Sequence, residues 1–526
     1  MTSASARQLL LASLTGLFYP LCFPDYDQGW LALAVLVPLH LGLTDLSPQR
    51  GFCLGWLAGL IAFVGTMFWV VTAMHLYGKM PLLISYAVML LLVAYLGLYV
   101  GLYAFLLAWL RQRLPALGFL PAPFLWVALE LIRTYSLSGL PWALIGYSQY
   151  QWITAIQIAD VTGVYGVSFF VVLVNVALSD LSLWILHRVS PVDGRCPWLS
   201  TAAAAFALAV VLSYGTFRLE SSASDPVRPK PTIRIGLVQP NIDQAHKWEE
   251  SFRRETTDRY ARLTRQVAPG TDLIIWPEAA TPFLFEQEIS YRLEMAALVH
   301  DQGVPLLFGS PALRYYADGR QYLLNRAYLF SASGEILGRY DKQHLVPFGE
   351  YIPLRTLLFF LHKLVEGIGD FEAGTVPTVL RLPAAEGPQA NRAGTKFGVV
   401  ICFEVIFPNL VREFVRDGAE FMVTITNDAW FGNSIAPYQH FGMVVFRAVE
   451  NRVAFARAAN TGISGLIDPQ GRILHATPIF TEGALQGAIQ IGVSRTFYTR
   501  HGDLFAYGCV LITGILPLAT LQFARR

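Results

Sequence analysis

The sequence predicts an α-helical membrane bundle of about eight transmembrane helices joined to a separate layered α/β domain. Three observations lead there. Charged residues make up 14% of the 526 residues and hydrophobic ones 54%, with mean hydropathy +0.45, whereas charged residues form about 25% of a soluble chain. The long apolar runs crowd into residues 1–215 and 503–523. Between them, short β-rich runs alternate with helical ones. The net charge of +2, with no long basic stripe, gives no case for nucleic acid as a partner.

Apolar runs occur near 8–24, 28–44, 51–73, 81–110, 116–133, 166–187, 200–215 and 503–523. A bilayer-crossing helix needs about 20 apolar residues, so the first two are short and the fourth is long. The first has no small-residue cleavage site and reads as a retained helix, not a removed signal peptide. With a cytoplasmic N-terminus, the inside loops hold Arg7, Arg50, Arg111, Arg113, Arg188, Arg195, Arg525 and Arg526. The outside loops hold Lys79, with Arg133 at a helix end. That bias is the positive-inside pattern, and it puts the polar domain outside, which in a bacterium is the periplasm.

Residues 216–231 are polar and proline-bearing and read as a linker. Strands are expected at 233–238, 272–276, 305–309, 326–331, 396–401, 421–426, 463–468 and 485–491. Helices are expected at 249–267, 286–301, 408–417 and 436–450. Nearly continuous apolar strands with helices between them predict a sheet buried on both faces, over a domain spanning 232–492. The apolar, basic-flanked stretch 354–368 reads either as a core helix or as an interfacial segment entering lipid.

Three segments place reactive groups just after strands: Ile274-Ile-Trp-Pro-Glu278, Tyr340-Asp-Lys-Gln-His-Leu-Val-Pro-Phe-Gly-Glu350, and Lys396-Phe-Gly-Val-Val-Ile-Cys-Phe-Glu404. Cys402 is the only cysteine of the polar half, since Cys22, Cys53, Cys196 and Cys509 lie in or beside apolar stretches. A disulfide within its own domain is thereby excluded. Acyl transfer through a thiol needs a base, a nucleophile and a cation for the oxyanion, which Glu278, Cys402 and Lys342 would supply. Taken singly, Glu278 reads as a solvated loop residue, Lys342 as a surface lysine and Cys402 as an inert buried thiol. Their order and local settings argue against those readings together. The ten histidines show no metal-ligand spacing, and no glycine-rich phosphate loop follows a strand, so neither a metal nor another cofactor is implied.

Trp276-Pro-Glu278, Lys342 to Glu350 and Cys402-Phe-Glu404 resemble the Glu-Lys-Cys triad of the nitrilase superfamily, over roughly residues 232–492. The resemblance implies a nitrilase-like αββα sandwich and metal-free carbon–nitrogen chemistry. Gly139-Leu-Pro-Trp-Ala-Leu-Ile-Gly-Tyr-Ser-Gln149 and Ile158 to Gly166 resemble the membrane region of bacterial apolipoprotein N-acyltransferases. Asn427-Asp-Ala-Trp-Phe-Gly432 and Arg447 to Asn451 are similar to that family too.

The family resemblance implies an inner-membrane enzyme with its catalytic domain in the periplasm. It would move an acyl chain from a phospholipid to the α-amine of a diacylglyceryl apolipoprotein, through a thioester and in ping-pong order. By that resemblance Cys402 is the nucleophile, Glu278 the base, and Lys342 stabilises the oxyanion and lowers the thiol pKa. Glu350 would position Lys342 or shuttle protons, and Glu404 would orient or support. Trp248 stands between substrate contact and packing, Trp430 leans to lipid contact, and Asn325 either bonds near the site or satisfies the core. Phe403 departs from the tyrosine expected after the nucleophile, so any role needing that hydroxyl is lost. Membrane embedding favours a monomer. The competing readings are a membrane-tethered amidase acting on a small amide, and a non-enzymatic scaffold with a decayed domain.

Overall fold

The computed structural model describes residues 3–186, 197–223, 231–351, 371–383, 394–493 and 495–523. The apolar stretch 354–368 lies outside the described residues, as do His187, Cys196, Arg188, Arg195, Arg525 and Arg526. The chain divides into two compact units. One comprises Met1–Val71, Leu83–Ser224 and His501–Arg526; the other comprises Thr72–Leu82 and Asp225–Arg500.

Among the described residues, four helices are long and apolar enough to cross a membrane: Pro48–Met67, Leu82–Arg113, Val164–Leu186 and Trp198–Ser221. The remaining expected spans are shorter or interrupted, and proline is the usual reason. Ser3–Phe18 stops before Pro20, and Ala122–Tyr135 begins only after Pro121. The expected span 28–44 splits into a 3-10 turn, Gly29–Leu33, and a short helix, Val37–Gly42. Pro38 sits in the first turn of the latter, where its missing N–H is tolerated but a preceding helix cannot continue. Such a break orphans backbone groups among apolar side chains, and neighbouring helices satisfy them. Asn175 Oδ1 accepts from Leu36 N at 2.8 Å while its Nδ2 donates to Ala32 O at 2.8 Å, and Thr15 Oγ1 accepts from Leu39 N at 3.0 Å.

Two of the long helices approach closely because each carries a Gly-x-x-x-Gly pair, Gly55/Gly59 and Gly97/Gly101. A Cβ at Gly59 would stand 2.8 Å from Gly97 Cα. The linker begins later than Thr216, because the helix runs on to Ala223. Arg218 pairs with buried Asp160 at 2.8 Å, and Tyr214 donates to the same carboxylate, so this last turn is anchored.

The second unit contains twelve strands: β1 Thr232–Gln239, β2 Leu273–Ile275, β3 Leu306–Tyr315, β4 Gln321–Phe330, β5 Ile336–Asp341, β6 Leu380–Arg381, β7 Lys396–Ile401, β8 Phe421–Thr426, β9 Phe455–Ala459, β10 Gly465–Ile467, β11 Ile473–Ala476 and β12 Gly483–Gln490. They form two six-stranded sheets, β12-β1-β2-β3-β4-β5 and β11-β10-β9-β8-β7-β6. Each has three parallel central strands, an antiparallel hairpin extension on one side and one antiparallel edge strand on the other. No sequence repeat announces this likeness.

The parallel order requires helical crossovers, and they are Arg253–Val267, Ile289–Gln302, Pro408–Arg416 and Ala436–Asn451. Tyr260, Leu263, Leu298 and Val299 of the first two pack with Ile274, Leu306 and Phe308 in one apolar cluster. Helices therefore cover the sheets, in the αββα arrangement, and β7, β8 and β9 are buried almost throughout. Unanticipated strands are β5, the two-residue β6, β9 and β11. The last two are short, and β11 is exposed along its length, so neither carries the apolar run by which strands were read.

Candidate functional site

The reactive side chains stand at the C-terminal ends of strands, where an α/β sheet opens. Glu278 follows β2 in a tight turn with Ala279 at φ +47. Trp276 anchors that turn by stacking on Tyr260, centroids 4.5 Å apart, and donating Nε1–H to Thr264 Oγ1 at 2.9 Å. Gly309 of β3 lies directly beneath, and a Cβ there would reach 2.7 Å from Ala279 N and 2.8 Å from Glu278 Cα. Only glycine permits this approach.

Lys342 follows β5 and is wholly buried; its Nζ donates to Glu350 Oε1 at 2.9 Å and to Glu278 Oε1 at 3.4 Å. Residues 346–350 fold back so that Glu350 can reach it, with Glu350 Oε2 accepting from Val346 N at 2.8 Å. Asn325 of β4 bridges the two carboxylates, donating Nδ2–H to Glu278 Oε1 at 2.6 Å and to Glu350 Oε1 at 2.9 Å. Its amide is thus spent on the site itself. Glu278 Oε2 accepts from Asn427 N at 2.9 Å.

Burial would drive the Lys342 ammonium to lose its proton, but Glu350 and Glu278 outweigh it and hold its pKa well above the ordinary lysine range.

Cys402 ends β7 and begins a 3-10 turn, Cys402–Ile406, with φ +54. A non-glycine residue held there costs about 1–2 kcal/mol, so the surroundings must impose it. His440 contributes by donating Nε2–H to Cys402 O at 3.2 Å. The ring is buried, and burial together with Arg457 lowers its pKa; Nδ1 lies 3.0 Å from Arg457 Nη2 and 3.2 Å from Asp428 Oδ1. Arg457 also donates to Asp428 Oδ2 at 2.6 Å, and although burial alone would raise Asp428, Arg457 holds it well below the usual carboxylate range.

Burial, reinforced by Glu278, pushes the Cys402 thiol well above the cysteine range; Lys342 pulls the other way without prevailing. The lowered thiol pKa expected from Lys342 is therefore outweighed, and the resting sulfur is a thiol.

Glu404 makes no ion pair with Lys342 among the described residues, although that charge acts on it, and its hydrogen bonds are those of a scaffold acceptor. It accepts from Tyr340 OH at 2.8 Å, Gln343 N at 2.7 Å, His344 N at 3.1 Å and Ile401 N at 2.7 Å, tying the Lys342 loop to the Cys402 strand. Burial pushes it up to about 7, against the pull of those donors. Glu404→Gln turns one oxygen into a donor facing a donor. The expected result is a loss of about 1–3 kcal/mol in a denaturant titration, and wild-type stability would rule the scaffold role out.

Phe403 is walled by Phe407, centroids 5.3 Å apart and edge-on, with His344 beside it. Trp248 is 49% exposed and Trp430 is 41% exposed. Tyr77, from the Thr72–Leu82 segment that clusters with this unit, meets Trp430 edge-on at 5.9 Å.

Residues 15–177 match the family model of the apolipoprotein N-acyltransferase N-terminal domain, and 234–498 match that of carbon–nitrogen hydrolase. The apolipoprotein N-acyltransferase of Geobacter metallireducens is 42% identical over 522 residues, covering 99% of this chain and 96% of that protein. This chain belongs to the apolipoprotein N-acyltransferase family. The Methylococcus capsulatus member is 34% identical, over 99% of this chain and 96% of its own. A solved carbon–nitrogen hydrolase from Helicobacter pylori covers 52% of this chain and 95% of its own, at 17% identity and a TM-score of 0.39.

For this member of the family, sequence reasoning named Glu278, Lys342 and Cys402 as candidates and missed the side chains that surround and hold them. Lys247, Asp428, His440 and Arg457 are buried charged or ring groups; Lys247 adjoins Trp248 and Asp428 lies within Asn427–Gly432, whereas His440 and Arg457 fall outside the motifs singled out. Arg457 is the one charged residue of the short strand Phe455–Ala459; burial of a charge demands a partner, but so short a segment offers no apolar run to mark it in the sequence.

Proposed function

We propose that this enzyme transfers an acyl chain from a membrane phospholipid to the α-amino group of the N-terminal diacylglyceryl-cysteine of apolipoproteins. The observation that carries it is family membership along both the apolar and the polar parts of the chain. A membrane-tethered amidase would account for residues 234–498 alone and leaves the match over 15–177 unexplained.

Glu278 takes the Cys402 proton as sulfur attacks the ester carbonyl, and Lys342 stabilises the resulting oxyanion. The carbon–oxygen bond breaks, Glu278 protonates the leaving oxygen, and lysophospholipid departs from a Cys402 thioester. The acceptor amine then attacks, giving its proton to Glu278; the carbon–sulfur bond breaks and the proton returns to Cys402. Glu350 and Asn325 keep Lys342 and Glu278 in register. Trp430, exposed with Tyr77 against its edge, is the aromatic we assign to lipid contact.

Multi-pass embedding in the inner membrane with a periplasmic catalytic unit follows from the arginine bias of the expected inside loops. It also suits the chemistry, because both substrates carry acyl chains that cost about 0.8 kcal/mol per CH₂ to expose to water. The test is intact-protein mass spectrometry after incubation with a defined phospholipid. One acyl-sized mass gain is expected, discharged by a diacylglyceryl-cysteine peptide that becomes N-acylated. A folded protein that gains no such mass and acylates no peptide would sink the proposal, and turnover of a small soluble amide instead would favour the amidase.

A further inference from the structure

Lys247 lies on the loop after β1 with its side chain buried, 1% exposed. Among the described residues its ammonium has one hydrogen bond, to the main-chain oxygen of Glu278 at 3.4 Å, and no carboxylate within ion-pair distance. A buried cation so thinly partnered is costly unless a charge nearby requires it. That charge is countable. Glu278 and Glu350 share the single ammonium of Lys342, at 3.4 and 2.9 Å, and Cys402 rests as a neutral thiol. Without Lys247 this cluster carries one net negative charge, and removing the thiol proton would have to work against it.

The loop is held so that the ammonium cannot drift. Asn460 Oδ1 accepts from Ile242 N, its Nδ2 donates to Ile242 O, and Asn427 Nδ2 donates to Gln244 Oε1 at 2.7 Å. Asn427 N holds the Glu278 carboxylate, so a closed ring of bonds grips Glu278 at its carboxylate through Asn427 and at its main chain through Lys247.

We infer that Lys247 is a positioning residue of this site: its ammonium fixes the turn that presents Glu278 and neutralises the second carboxylate there, so that Cys402 can give up its proton. The inference rests on the acyl-transfer reading for its substrate but not for its main test.

Burial pushes the Lys247 ammonium down to about 8, with Glu278 opposing. Facing it from the β2 turn is Glu278, whose carboxylate is bordered by Lys342 and Glu350; Cys402 and Asp428 interact beyond it. On its own loop are Asp243, His246 and Glu249, the last two paired at 2.9 Å.

The experiment follows alkylation of Cys402 by iodoacetamide in the full-length protein, read on the Cys402 peptide by mass spectrometry between about pH 6 and 10. Wild type should show a break near pH 8, where Lys247 loses its charge. Lys247→Met should alkylate about 10-fold more slowly below that break, the equivalent of about one unit in the thiol pKa, and show no break. Lys247→Arg, charged throughout, should also lose the break. Wild-type alkylation with the break retained in Lys247→Met overturns the inference. Should that variant fail to fold, a break still present in Lys247→Arg overturns it and its loss supports it. Failure of wild type to take an acyl group would defeat the acyl-transfer reading while leaving the alkylation profile to judge Lys247.

Discussion

Cys402→Ala should take no acyl mass from phospholipid and lose acyl transfer by about 10,000-fold or more. Its folding should survive, with a stability change within about 1 kcal/mol. The reason lies in the difference between what the sulfur does and what the backbone does. Alanine keeps the Cβ and therefore keeps the φ +54 strain, but offers nothing to attack an ester. Cys402→Gly sharpens the argument, since glycine accepts that backbone freely. It should be equally inactive and more stable than Cys402→Ala by about 1 kcal/mol in denaturant titration. If the alanine variant still acquires an acyl group, the nucleophile lies elsewhere.

Lys342→Met should damage both stability and activity. It leaves Glu278 and Glu350 facing each other in a buried site with Asn325 as their shared donor. Removing one partner from a buried ion-pair cluster costs about 3–5 kcal/mol, and with no cation for the oxyanion, transfer should fall by about 100- to 1,000-fold. The pH dependence supplies a signature. In wild type the Lys342 pKa is raised, so its stabilisation is full below the unfolded lysine value of about 10.4 and lost only above it, as pH rises through the folded value. Around neutral pH Lys342 should therefore add no pH dependence to wild-type stability, its stabilisation being fully present there. The gap between wild type and variant should stay constant around neutral pH and narrow as pH rises above about 10.4, where wild type begins to lose the Lys342 contribution. Thermal melts at several pH values read this directly. Curves for the two proteins that stay parallel above that value would mean that Lys342 is not the counter-ion of this pair.

The side chains of the candidate site were legible in the chain because each reports itself locally. Trp276-Pro-Glu278 ends an apolar strand with a carboxylate, and Cys402 closes a buried run of five residues with the one thiol of its region. The crossover helices were equally legible, since an amphipathic pattern such as Arg253–Val267 needs only neighbours along the chain. Where proline interrupts an apolar run, composition misled: residues 28–44 look like a span, yet Pro38 breaks them and Asn175 repairs the exposed backbone from 139 residues further on.

Composition, strand endings and motif order were enough to single out Glu278, Lys342 and Cys402 as one candidate site within a chain rich in membrane-length segments. They are properties of short stretches, and short stretches are what a linear reading measures. Which charge balances which is a different kind of fact. That Lys342 serves two carboxylates, that Asn325 bridges them, that His440 holds the cysteine carbonyl and that Lys247 sits buried beneath Glu278 all depend on residues 8 to 64 positions apart being packed out of water. Coulombic and desolvation energies depend on distance through space and on burial, and neither is written in the order of residues along the chain.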